Sequence, residues 1–170
     1  MRFLGILGGI ATVLVAALPA SGELTRVPEP GVCLECHGEM EDIFQSRHVH
    51  TAFADGQCSG CHSPHASKHA GLLGADKRDL CLRCHEDVAS VAAGNAAHPP
   101  VLNGNCVACH NPHASDHPNQ MHEPLFETCV SCHEPVAEWR DKAVVHEPVG
   151  DNECMTCHAV HGSDVVGLLK

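Results

Sequence analysis

A mostly loop fold with short α-helices and little or no β-sheet is what this sequence predicts, on three observations. First, its 170 residues include no tyrosine, one tryptophan and four phenylalanines, so the side chains that supply much of an ordinary core are nearly missing. Second, all 12 cysteines fall in six C-x-x-C-H units. Third, these units recur at a fixed period and divide the chain into tandem repeats. Whatever the cysteines and histidines hold must stand in for the core.

The chain opens MRFLGILGGIATVLVAALPASGE, with one positive charge at Arg2, an apolar run from Phe3 to Leu18 and small residues before the first acid at Glu23. That layout is a secretory signal peptide over residues 1–22, cleaved after Ala20 or Gly22. Its apolar run is shorter than the ~20 residues needed to span a bilayer, and the mature chain has no other span. With Arg2 gone, nine Lys and Arg remain of ten against 21 Asp and Glu, and the formal charge moves from −11 to −12. Such a surface repels nucleic acid and favours partners with basic patches. Residues 23–32 carry two prolines and read as a leader.

The units are CLECH (Cys33, Cys36, His37), CSGCH (Cys58, Cys61, His62), CLRCH (Cys81, Cys84, His85), CVACH (Cys106, Cys109, His110), CVSCH (Cys129, Cys132, His133) and CMTCH (Cys154, Cys157, His158). Their first cysteines stand 25, 23, 25, 23 and 25 apart, which gives a 48-residue period with two units per repeat. The repeats are 33–80, 81–128 and 129–170, expected to form one cooperative domain over 33–170. After each first unit comes a helical apolar pattern: Met40, Ile43 and Phe44; Val88, Val91 and Ala92; Val136, Trp139 and Ala143. Pro135 suits the first turn of the third, and Gly94-Asn95 is expected to end the second early. A histidine, a polar Gly/Asn loop and the second unit follow.

C-x-x-C-H is the attachment sequence of c-type haem: two thiols form thioethers with the vinyl groups and the adjacent histidine takes the iron. The two-residue spacer lets both sulfurs and the imidazole meet one rigid ring. Zinc sites would not need a histidine after every pair. C-x-x-C disulfides in an exported chain staple too little backbone, and thioredoxin-like motifs need a βαβ setting that is absent. Six haems are therefore expected, one per ~25 mature residues, where a chain of such short units cannot fold without a staple or metal. The predicted fold is helices and loops wrapped around a row of six porphyrins.

Six irons then need sixth ligands. Of the ten histidines outside the units, six are in phase with the repeat: His50, His98 and His146, and His65, His113 and His161. Met40, Met121 and Met155 share no repeat position. A histidine three residues beyond the motif histidine cannot cross its own porphyrin plane, so His65, His113 and His161 each belong to another haem and bring two haems close together. His50, His98 and His146 follow their motif histidine by 13 residues, about 20 Å if helical, and also belong elsewhere. The expected pairing puts His50, His98 and His146 on haems 2, 4 and 6 and His65, His113 and His161 on haems 1, 3 and 5, with inter-repeat pairing as the open alternative. His48, His69, His117 and His122 are left over, as surface residues, propionate partners or a ligand to a haem in a neighbouring molecule.

The combined unit H-x7-C-x-x-C-H-x-x-H…LL…C-x-x-C-H resembles the doubled-CxxCH family of multihaem c-type cytochromes over residues 33–170. The resemblance implies exported electron-transfer proteins with stacked, bis-histidine haems, and it embraces soluble shuttles, outer-membrane conduits and polymeric filaments. Repeat three departs from longer relatives in lacking the third extra histidine and a closing CxxCH.

The expected function is electron transfer in the periplasm or outside the cell, without catalysis. Two imidazoles per iron leave no vacancy for substrate, and the absence of methionine together with an acidic surface keeps potentials low. The rivals are an oxyanion reductase, which needs an open iron, and a filament subunit using a spare histidine such as His48 or His122. The resembling nitrite reductases mark their open iron with CxxCK, and none occurs here.

Overall fold

A computed structural model describes residues 28–170; the expected signal peptide and the first half of the leader lie outside the described residues. Each repeat runs through the same short elements. The first units sit on helices α1 (Gly31–Leu34), α5 (Lys77–Leu82) and α8 (Leu125–Val130), so the leader's last residues already form the first attachment helix. Next come α2 (Met40–Ile43), α6 (Glu86–Ala92) and α9 (Glu134–Ala137). Helices α3 (Thr51–Ala54), α7 (Pro99–Leu102) and α10 (Glu147–Gly150) precede the second units. Those units occupy α4 (Cys58–Cys61) and the 3₁₀ turns Cys106–Ala108 and Cys154–Thr156.

The apolar patterns mark helices as expected, but short ones. The third breaks into a 3₁₀ turn at Glu138–Asp141, so Trp139 sits on that turn and Ala143 lies beyond it. The second ends at Ala92, before Gly94. Helices of four to seven residues are too short to be stable alone. Asp76 caps α5 by accepting the Arg78 N–H at 3.0 Å, a local aid.

The small β content joins repeats rather than completing them. Strand β1 (His48–Val49) pairs antiparallel with β3 (Ala114–Ser115), in register His48 to Ser115 and Val49 to Ala114. Strand β2 (Ala96–Ala97) pairs with β4 (Gly162–Ser163) in the register one period on. The bond His50 N–H to His113 C=O (2.9 Å) extends the first pair, and His98 to His161 (3.2 Å) extends the second.

The polypeptide hides almost nothing apolar by itself. Among the described residues only Ala92 and Ala114 are buried hydrophobics, while Trp139 is 49% and Val144 91% exposed. Among the described residues no helix is long and apolar enough to cross a membrane.

Candidate haem sites

The second unit of each repeat is held in a loop that folds back on it. His62 pairs with Leu73, His110 with Met121 and His158 with Leu169 as isolated antiparallel bridges. Just before each bridge the chain takes two left-handed residues, Gly71-Leu72, Asn119-Gln120 and Gly167-Leu168. Glycine and asparagine tolerate that region best, and here it swings a carbonyl under the motif imidazole. His62 Nδ1 donates to Gly71 O at 2.8 Å, His110 to Asn119 O at 2.8 Å and His158 to Gly167 O at 2.9 Å. That fixes the ring and leaves Nε2 free to face a metal. The leucine pair noted in the sequence is thus part of the ligand mounting.

The first units are mounted differently. His37 Nδ1 meets the Glu39 carboxylate at 3.3 Å, both groups exposed. No carbonyl underlies His85 or His133 among the described residues.

Four imidazole pairs face one another across gaps of equal size. Ring centroids are 6.1 Å apart for His50 and His85, 6.0 Å for His62 and His113, 6.1 Å for His98 and His133, and 6.0 Å for His110 and His161. The rings are inclined by 31°, 24°, 19° and 40°. Two metal–nitrogen bonds of about 2 Å plus roughly 1.1 Å from nitrogen to ring centre on each side sum to about 6.2 Å. The gap fits one ion held between two imidazoles. Beside each facing pair stands the C-x-x-C of the motif histidine, so the residues fit a covalently attached haem. The imidazoles come in twos, where tetrahedral zinc takes four ligands; no cluster of three or more His, Cys, Asp or Glu converges among the described residues.

These pairs correct the expected assignment. His50 faces His85 of the third unit rather than His62, and His98 faces His133 rather than His110. His113 faces His62 rather than His85, and His161 faces His110 rather than His133. The cause is the strand pairing between repeats. It sets His50 and His113 back to back on hydrogen-bonded backbones, so one ring projects forward and the other returns to the preceding repeat. His113 and His161 do reach past their own units, as expected. His65 and His146 are exposed and face no other imidazole among the described residues.

Burial lowers the pKa of His50, His98, His113 and His161, and the facing His85, His133, His62 and His110 respectively add to it. For His98 a backbone hydrogen bond near Val160 opposes the drop, and for His161 Asp87 does. Neutral imidazole is the metal-binding form.

The cysteines order the sites. Burial pushes the Cys81 thiol up to about 11, aided by the adjacent Cys106; the same holds for Cys129, beside Cys154. Burial and then Cys33 raise Cys58. These thiols stand where thioether sulfurs would be. The first cysteines of the two units in a repeat are therefore neighbours in all three repeats. Cys61 also bears on Cys81, and Cys109 on Cys129, across repeat boundaries. Attachment points run consecutively from the first unit to the sixth.

Of the leftover histidines, His122 Nε2 lies 3.0 Å from Val107 O, and the His69 and His117 N–H groups are bound by Ser67 and Ser115. Phe53, which the sequence did not single out, stacks on Phe44 at 4.2 Å and lies against His113 at 5.0 Å with the rings tilted by 47°.

The sequence matches the family described as Doubled CXXCH motif over residues 50–90, 98–138 and 146–170, more than half of the chain. Each match begins at a phased histidine, so the first two contain a facing pair entire: His50 with His85, then His98 with His133. No curated protein matches the chain.

Proposed function

The chain belongs to the doubled-CXXCH family and is a multihaem c-type cytochrome; from that premise we propose that it carries electrons along a row of six bis-histidine haems. Bound haem supplies a one-electron iron couple. The polypeptide anchors and spaces it. Six cysteine pairs, Cys33/Cys36 to Cys154/Cys157, hold the rings, and His37, His62, His85, His110, His133 and His158 take the proximal faces. His50, His98, His113 and His161 take the distal faces of the third, fifth, second and fourth sites.

The observation that carries this reading is the recurrence of one imidazole gap, 6.0–6.1 Å, four times along consecutive sites. At the four paired sites two imidazoles per iron leave no place for a small-molecule substrate, which favours relay over catalysis. The acidic chain, formal charge −11, suits redox partners with basic docking patches, and the signal-peptide pattern of the N-terminal segment supports a setting in the periplasm or outside the cell.

Intact mass and visible spectra of the purified holoprotein test the reading. Six covalent haems with at least four low-spin are expected. Fewer than six covalent haems, or low-spin signal from fewer than four, refutes it.

A further inference from the structure

Positive charge is unevenly spread along this acidic chain. Of the ten Lys and Arg, five lie within residues 47–83 (Arg47, Lys68, Lys77, Arg78 and Arg83) and none lies within residues 84–139. Lys68 and Lys77 line a cavity of about 430 Å³, where the turn that leaves the second attachment unit meets the loop that enters the fourth. Ligand clefts run from about 300 to 1,000 Å³. His69, Asn103 and Asn105 line the same space. None of these five side chains hydrogen-bonds or ion-pairs with another protein group among the described residues. Asp76 is the one carboxylate on the lining, and its Oδ1 already accepts the Arg78 N–H at 3.0 Å.

The wall of the cavity adds an unused donor. Gly104 is buried there, and a Cβ on it would sit 2.5 Å from Arg78 Cβ and 3.2 Å from Arg78 Cγ, so the arginine stem lies along the glycine. Arg78 Nε is buried and meets no acceptor among the described residues. A buried donor is destabilising until something accepts from it, and a guanidinium is the group best shaped to hold an oxyanion. The repeat supplies a contrast. One period of 48 residues on, Lys68, Lys77 and Arg78 are replaced by Asp116, Leu125 and Phe126, and Asn103 and Asn105 by Asp151 and Glu153. Helix α8 starts at Leu125 just as α5 starts at Lys77, so the shared backbone does not need the cations. The unpartnered buried atom at that second place is of the opposite kind: Asn152 Oδ1, an acceptor, at the position that matches Gly104.

We propose that Lys68, Lys77 and Arg78, with the His69 ring and the Asn103 and Asn105 amides, bind one small oxyanion of the carboxylate or phosphate class in this cavity. Three cations against Asp76 leave a local excess of two positive charges in a chain of formal charge −11. The site therefore attracts at short range what the molecule as a whole repels. Two sources supply that chemistry: a dissolved anion, or a haem propionate of this same chain. The second source rests on the multihaem reading above; the first does not. The matched place one period on, with Asp116, Asp151 and Glu153, binds no oxyanion.

The test uses the purified holoprotein, its haem count set by mass, at low ionic strength. Isothermal titration calorimetry with inorganic phosphate reads the dissolved source. One phosphate per chain is expected, bound at least tenfold more weakly by the double variant Lys68→Gln/Lys77→Gln and more weakly in added salt. Proton Overhauser contacts in the reduced, diamagnetic protein read the other source. A site filled from within takes up no phosphate and instead shows the propionate methylene protons of one haem against the Lys77 and Arg78 side chains. Both lysines are exposed and neither holds a haem, so the double variant should keep the wild-type haem count and spin state. Finding neither phosphate uptake nor a propionate contact overturns the proposal. Phosphate uptake that the double variant leaves unchanged overturns it too, and marks an adventitious ion only. Both of those results leave the electron-relay reading standing, because that reading falls on haem count and spin state.

Discussion

Replacing His113 by alanine discriminates the pairing in the structure from the one the sequence favours. The ring faces His62 at 6.0 Å, packs on Phe53 at 5.0 Å and is presented by a backbone N–H bound to Asn111 Oδ1 at 3.0 Å. Its removal opens one iron of six, so one haem in six should convert from low-spin to high-spin, with a further loss of about 1 kcal/mol from the ring contact with Phe53. The other five sites keep their ligands, because His113 faces no second iron position. Nuclear magnetic resonance identifies the affected haem. The low-spin methyl signals that vanish should be those with Overhauser contacts to the thioether protons at Cys58 and Cys61. If the vanishing set contacts Cys81 and Cys84 instead, or if no set vanishes, the geometric reasoning fails.

Asn119→Val forces a β-branched residue to φ 56°, costing about 1–2 kcal/mol. It should withdraw the carbonyl under His110 and raise that haem's potential in a redox titration, whereas Asn119→Gly, matching Gly71 and Gly167, should leave it unchanged. Redox titration of the intact protein should also separate the sites: second-unit haems, whose imidazoles donate to a carbonyl, should be reduced at lower potential than the His85 and His133 haems, because donation makes the ligand more basic. Gly104→Ala should lower the melting temperature by several degrees, since Gly104 has φ +69° and a Cβ there would sit 2.5 Å from Arg78 Cβ, a combined cost of about 2–4 kcal/mol from strain and overpacking. Protein made without haem attachment should show no cooperative melt by circular dichroism, because only Ala92 and Ala114 are buried hydrophobics among the described residues.

Attachment and periodicity were legible because they are local. A C-x-x-C-H unit carries its own chemistry within five residues, and the 48-residue period survives without insertion, so the phased histidines could be picked from sixteen. The helices were legible as short apolar patterns for the same reason. Pairing was not, because it is decided by two-residue strands with no compositional signature: His48-Val49, Ala96-Ala97 and Gly162-Ser163 share no residue preference that says what they pair with. Distance along the chain misled as well. His50 lies closer in sequence to His62 than to His85, but α3 and the joint to Ala114-Ser115 turn its ring the other way. Proximity favoured an assignment within the repeat, and the backbone hydrogen bonds chose one across it. The role of the turn entering the leucine pair was hidden for a different reason: it contributes a main-chain carbonyl, from Gly71, Asn119 or Gly167, and side-chain identity records only the left-handed turn.

That cross-repeat choice has an energetic consequence. In an ordinary solenoid each repeat has intrinsic stability and gains more from its neighbours. Here a repeat cannot complete its own sites. The repeat 81–128 receives His50 from the preceding one for His85 and His161 from the following one for His110, while it sends out His98 and His113. The coupling between repeats therefore sits in the joints, each of which combines one strand pair, one extending hydrogen bond and two of the proposed axial ligands. Cysteine contacts such as Cys81 with Cys106 tie the two sites within a repeat, and the histidine joint ties the second site of one repeat to the first of the next. The two kinds of link alternate along the row. Cutting any one histidine joint should open two sites at once and split the molecule into pieces that still hold their haems by thioether but no longer hold them in line. On the proposed coordination the same joint both folds the chain and closes the sites of its irons, so an unbroken electron path and a folded polypeptide would depend on the same residues.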